Sequence, residues 1–314
     1  MNSTKVSKGA TCGLFFAAIC TVVSTRRPSE RGLEMLMVDV LGQMRIRTDC
    51  DREGGSHRSS MRQVVDNSHM GTALAIFACS PGRVVEIDHL IELMWHGRPT
   101  RTARQSVHVQ VSKLRRIFTD LGGDGSAVIR NARNGYLLDD RLVTLDVQLF
   151  TEQVRQAHSA HRLNDAAASL KLFDNALAHW HGKPFSGIDL PRELARHSES
   201  IERIHLSARE GRVEVLINMG AGRELIPELE SLIGHDPFQE FLHGCLMIAL
   251  SRSGRRGEAL RLYQNFARHL HRELGIPPGA EIRHIFETVL SGRDVSRIWV
   301  SPLDHDLHED AGVA

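Results

Sequence analysis

Arg104-Gln105-Ser106-Val107-His108-Val109-Gln110-Val111-Ser112-Lys113-Leu114-Arg115-Arg116-Ile117-Phe118 carries two patterns at once. Val107, Val111, Leu114 and Phe118 recur at i, i+4, i+7 and i+11, the spacing of one buried stripe on an α-helix. Arg104, His108, Ser112, Arg115 and Arg116 fall largely on the other side, with no carboxylate among them. A solvated charged helix interleaves Glu with Arg for i, i+4 support. That pairing is missing here, as a phosphate-facing helix requires. Residues 93–119 contain no acid at all, and this window holds Arg98, Arg101, Arg104, Lys113, Arg115 and Arg116.

The neighbouring segments decide what kind of helix this is. Upstream, Ile87, Leu90, Ile91 and Met94 repeat at i, i+3, i+4 and i+7, which predicts a second helix over 86–95, and the turn at 96–100 separates it from a third over 103–119. Val64, Val65, Leu74, Ile76 and Phe77 mark a first helix, ended by Ser80-Pro81-Gly82. Before it, residues 36–42 and 43–47 alternate like two short strands around a Gly turn. Downstream of Gly122-Gly123, Val128-Ile129-Arg130 and Gly135-Tyr136-Leu137-Leu138 read as a hairpin with a tight turn. Strands, three helices and a terminal hairpin make a winged helix-turn-helix of the α+β class over 35–140. The hairpin adds Arg130 and Arg133 as a wing, and Tyr136 reads as a residue packing its base. Wing residues reach the minor groove or backbone while the third helix occupies the major groove.

Residues 146–292 change character. Helical periodicity dominates, as in Phe150, Val154 and Ala157, and in Leu260, Tyr263 and Phe266. Gly220, Glu224 and Leu229 recur 34 residues later as Gly254, Glu258 and Tyr263, the tetratricopeptide period of stacked helix pairs. An all-α, tetratricopeptide-like domain is expected there, followed by a flexible polar tail over 293–314. Residues 1–34 contain an apolar run of 11 residues, 13–23, too short for a bilayer span, which takes roughly 20. They read as a disordered or mis-started extension, with Met35 or Met37 as the natural beginning.

Composition excludes several classes. Lys and Arg number 39 against 38 Asp and Glu, yet residues 141–314 carry a net −4 while 1–34 carry +3 and 35–140 carry +2. A local cationic face on a near-neutral chain suits an anionic partner such as double-stranded DNA. The cysteines at 12, 20, 50, 79 and 245 show no metal spacing and no Cys-x-x-Cys, so they read as reduced thiols in a cytoplasmic protein with neither metal nor cofactor. There is no phosphate-binding Gly-x-x-x-x-Gly-Lys-Ser/Thr loop and no Gly-x-Ser-x-Gly elbow, which speaks against an enzyme. The alternative to a DNA-binding activator is a helical-repeat scaffold that binds protein and has only non-specific DNA affinity.

Residues 106–116 also resemble the recognition helix of response-regulator output domains. The span from Leu41 to Gly292 is similar to the SARP family, regulators that activate antibiotic-pathway transcription in actinomycetes. Supporting stretches are Val84-Val85-Glu86-Ile87-Asp88-His89-Leu90-Ile91 with Trp95, Leu177-Ala178-His179-Trp180-His181-Gly182 and Glu273-Leu274-Gly275-Ile276-Pro277-Pro278-Gly279. The resemblance implies a winged-helix DNA-binding domain followed by a bacterial transcriptional activation domain. It further implies binding to promoter direct repeats, usually as a homodimer on DNA, and recruitment of RNA polymerase through the 96–100 turn, where Arg98 and Arg101 are the candidates. Ala132 stands where the family usually carries Arg in the wing, and Asp66-Asn67-Ser68-His69 replaces a more apolar first-helix start.

Overall fold

The computed structural model describes residues 35–49, 62–65 and 69–295. The extension over 1–34, the segments 50–61 and 66–68, and the tail beyond 295 lie outside them.

In chain order, the first half consists of β1 (Met35–Asp39), β2 (Arg45–Asp49), β3 (Arg62–Val64), α1 (His69–Ala78), β4 (Val84–Glu86), α2 (Ile87–Met94), α3 (Ala103–Asp120), α4 (Gly125–Val128), β5 (Ile129–Ala132), β6 (Gly135–Leu138) and β7 (Val143–Leu145). The four-stranded sheet runs β3-β2-β1-β7, antiparallel except for β1 and β7, which pair in parallel with Leu36 opposite Val143. The three-stranded sheet runs β4-β6-β5, all antiparallel. Helices α1, α2 and α3 pack against one another, α1 also against β6 and α2 against β4. The stripe foreseen on α3 is its core face: Val107, Val111, Leu114 and Phe118 are buried, as are Leu74 and Phe77 of α1.

Three local expectations need correcting. Val64 belongs to a strand, not to the first helix; β3 is added to the sheet edge by backbone pairing with β2, which no side-chain period announces. Val84 to Glu86 is a strand that precedes α2 and owes its conformation to pairing with β6. The three residues of β7 go unforeseen for the same reason: a short strand is defined by its partner.

Gly135 shows why the hairpin sequence cannot vary freely. It sits opposite Glu86, and a Cβ there would overlap the Val85 carbonyl, so β4 and β6 approach only because the side chain is missing. The loop between β5 and β6 is just Arg133 and Asn134.

The second half is helical: α5 (Asp146–Arg162), α6 (Ala166–Ala178), α7 (Arg192–Asn218), α8 (Ile226–His235), α9 (Glu240–Arg252), α10 (Arg256–Leu274) and α11 (Ala280–Ser291). A 3-10 turn, Arg223–Leu225, leads into α8. The 34-residue repeat is structural. Gly220 follows α7 and Gly254 follows α9, both with φ in the left-handed region, +99° and +75°, where glycine is the least strained residue. Every residue of α9 from Leu242 to Leu250 is buried, so this helix is covered on all sides, as a central helix of a stack must be.

By contacts the described residues form two compact units, one within 35–155 and 175–205, the other within 156–174 and 206–295. In the first, residues 181–186 bond back to the β1–β2 turn: His181 donates its N–H to Leu41, Phe185 to Val40 and Ser186 to Gly42, at 2.8–2.9 Å. Phe185 is itself buried. The described part of this unit therefore includes a stretch of the region expected to form a separate domain.

In the same unit Asp146, at the start of α5, is buried and accepts N–H groups from Val40, Leu41 and Val147. Burial lifts its carboxyl to about 7 despite those donors. In the second unit the core centres on Leu229, Leu242, Cys245 and Phe266. Cys79 and Cys245 are free, and burial pushes both thiols well above the ordinary range, which makes them poor nucleophiles.

Candidate nucleic-acid interface

The buried stripe of α3 leaves the rest of its surface outward. Arg104, Gln105, His108, Val109, Ser112, Lys113 and Arg116 are exposed, spanning more than three turns. The hairpin of β5 and β6 continues that surface with Arg130 and Arg133, both exposed. The 95–102 loop, which reverses through His96 and Gly97 with φ of +50° and +74°, exposes Arg98 and Arg101.

The cations are not equivalent. Arg104 donates to Asp88 of α2 at 2.5 Å, so the carboxylate missing from the first turns of α3 comes from the preceding helix. Asp88 lies just outside the acid-free window, where a scan of one helix overlooks it. Arg116 has only Asp120 at 3.9 Å, with both side chains well exposed, an arrangement worth little in water. Arg130 lies 3.4 Å from the mostly buried Asp139. Lys113, Arg133, Arg98 and Arg101 make no ion pair among the described residues.

Arg115 departs from the expectation. Its guanidinium turns toward the hairpin, donating from Nε and Nη2 to the carbonyl of Ile129 and from Nη2 to Asn131 Oδ1. It also lies over the ring of Tyr136, 5.6 Å from the centroid. Eleven residues past Arg104, it shares that residue's stripe of α3, but its guanidinium bends to the hairpin and there joins α3 to β5.

Tyr136 packs at the base of the hairpin, as its place beside Gly135 predicts, and is 6% exposed. Its hydroxyl reaches Nδ1 of His108 at 2.5 Å, with the two rings edge to face. This contact between α3 and β6 spans 28 residues and leaves no trace in the sequence pattern. Val109 also escapes a reading by period: it is 47% exposed on the outer face, an apolar side chain among polar ones.

Among the described residues no group of three or more His, Cys, Asp or Glu is placed to hold a metal ion. No helix among them is long and apolar enough to cross a membrane.

Two family models match the chain in tandem: "Transcriptional regulatory protein, C terminal" over residues 69–138 and "Bacterial transcriptional activator domain" over 145–290. The first covers α1 through β6, the second α5 through α11. The chain belongs to the SARP family. Relatives of this SARP chain include the regulatory protein DnrI of Streptomyces peucetius, 28% identical over 69% of this chain and 81% of DnrI. The transcriptional regulator RedD of Streptomyces coelicolor is 24% identical over 90% of this chain and 81% of RedD. The transcriptional regulatory protein EmbR of Mycobacterium tuberculosis is 30% identical over 69% of this chain, which spans 56% of EmbR. A solved structure of M. tuberculosis EmbR in complex with a low-affinity phosphopeptide superposes with a TM-score of 0.70 at 24% identity, over 83% of this chain and 66% of that one. That likeness is one of fold: a winged helix followed by a helical activator region. The protein is a transcriptional regulator.

Proposed function

We propose that the protein is a sequence-specific DNA-binding activator of transcription. The observation that carries this reading is the outer face of α3, where His108, Ser112, Lys113 and Arg116 stand exposed above a fully buried stripe. A helix of this kind fits the major groove, and residues such as Lys113 and Arg116 then neutralise phosphates while His108 and Ser112 face base edges. Arg104 joins them by exchanging Asp88 for a phosphate. Arg130 and Arg133 sit on the hairpin that would track the neighbouring backbone. Arg115 has a supporting part, holding helix and hairpin in register.

Family membership supports the remaining features. The protein binds promoter direct repeats as a homodimer on DNA, and Arg98 and Arg101 in the α2–α3 loop meet RNA polymerase. Its targets are the genes of a secondary-metabolite pathway, it acts in the cytoplasm, and it needs neither cofactor nor enzymatic activity. Footprinting and mobility shifts on promoter fragments from its own gene neighbourhood test the proposal. Protection of a repeated element at physiological salt is the expected result. Retention that is equal on scrambled fragments would leave only a protein-binding scaffold with general affinity for DNA.

A further inference from the structure

His108 stands on the outer face of α3 with one ring nitrogen engaged by the protein and the other left over. Nδ1 meets the Tyr136 hydroxyl, and Nε2 has no hydrogen-bond partner among the described residues. Tyr136 cannot turn away. Its ring is buried in the central strand of the three-stranded sheet, with the Arg115 guanidinium over one face, and Arg115 is itself fixed by the Ile129 carbonyl. Burial also raises the phenol above its ordinary value, against the lowering effect of the Arg115 charge, so the hydroxyl keeps its proton.

The chemistry of the pair settles which atom donates. A neutral imidazole carries one N–H and one bare nitrogen. A phenol is a far stronger acid than a neutral imidazole N–H, so the favoured bond runs from the Tyr136 O–H to Nδ1 as acceptor. The imidazole proton then resides on Nε2. Without the hydroxyl, neutral His108 would exchange between two tautomers and present a donor only part of the time.

We infer that Tyr136 is a positioning residue that holds His108 as an Nε2–H donor for an acceptor on a base edge in the major groove, a purine N7. The inference rests on the DNA-binding reading above and deepens it. Purine N7, guanine O6 and thymine O4 accept at that edge, whereas the cytosine and adenine amino groups donate and are refused. A phosphate oxygen is the other acceptor chemistry within reach, and the experiment separates the two.

The test uses the full chain and its footprinted promoter element. Tyr136→Phe keeps the ring and removes only the hydroxyl. It is expected to weaken binding about twofold, the factor by which an even mixture of two tautomers dilutes the donor form. The same substitution should cost nothing in a His108→Ala background. Nitrogen-15 spectra of the free protein should place the His108 proton on Nε2 in the wild type and on both nitrogens in Tyr136→Phe. Replacing purines one at a time by their 7-deaza analogues should weaken the wild type at one position and leave His108→Ala unaffected there.

A Tyr136→Phe penalty that persists without His108 would overturn the positioning role and leave packing alone. A His108→Ala loss that is uniform across all 7-deaza fragments, with a reduced salt slope, would assign Nε2 to phosphate and overturn the base-edge reading. Absence of any sequence preference in the wild type would remove the DNA-binding reading itself, a result distinct from either.

Discussion

The guanidinium of Arg115 donates twice to the backbone carbonyl of Ile129, at 2.8 and 2.6 Å, so the middle of α3 and the first strand of the hairpin move as one piece. A side chain that would be counted among DNA-facing cations on charge alone is consumed inside the domain. Its removal leaves a carbonyl and Asn131 without their donor. Arg115→Ala is therefore expected to lower stability by about 1–3 kcal/mol while leaving the salt slope of DNA binding unchanged. Denaturant melts and salt titrations check both halves. A slope that falls by about one with full stability retained would return Arg115 to the phosphate backbone.

Lys113 and Arg116 should behave in the opposite way. Both are exposed on α3 and neither holds the fold. Lys113→Ala and Arg116→Ala should each weaken binding on every sequence and lower the salt slope by about one, with unchanged melting. Titration at several salt concentrations, on matched and scrambled fragments, is the measurement. Unchanged binding in both variants, with intact circular dichroism, would remove α3 from the interface.

Arg98 and Arg101 lie in the α2–α3 loop, off the α3 face. Replacing both with Ala should lower activated transcription in a reconstituted assay more than it lowers promoter affinity. Equal losses in the two assays would assign these arginines to phosphate instead.

His158 gives the second unit a pH dependence. It packs edge-on against Phe173, within 3.3 Å of the Ser207 hydroxyl, and burial holds its imidazole down at about 4, with the charges of Arg162 and His161 adding to the effect. Between that value and the ordinary 6.5 the unfolded chain binds more protons than the folded one, so stability rises with pH across this window and is flat above it. Relative to His158→Gln, the wild type should lose about 2 kcal/mol in denaturant melts on going from about pH 7.5 to about pH 5, the other titrating groups, Asp146 among them, being common to both. An unchanged pH profile in the variant would place the titrating group elsewhere.

How far the sequence carries depends on the range of each interaction. Val107, Val111, Leu114 and Phe118 announce their helix because the period of a buried stripe is local. Gly220 and Gly254 announce their turns because the left-handed backbone falls on glycine in both repeats. The bond from Arg115 to Ile129 and the one between His108 and Tyr136 join residues 14 and 28 apart in sequence. Nothing in the composition of either partner signals them, and charge counting groups Arg115 with the DNA-facing cations although its guanidinium is bound to the hairpin. Val64, Val84 and Val143 are likewise illegible as strand residues, since strands of three residues exist only through the neighbour that pairs with them.

The parallel pairing of β1 with β7 has a consequence for how the chain is made. Leu36 finds its partner in Val143, and the N–H groups of Val40 and Leu41 find theirs in Asp146. During synthesis β1 and β2 can form a hairpin early, but the inner edge of β1 stays open while the 96 residues from 50 to 145 are added. At typical translation rates that wait lasts roughly 5–20 s, during which an unpaired strand edge is open to other chains. The α1–α3 bundle emerges in that interval and can fold on local contacts. The N-terminal sheet, by contrast, is closed only after the ribosome has passed Leu145.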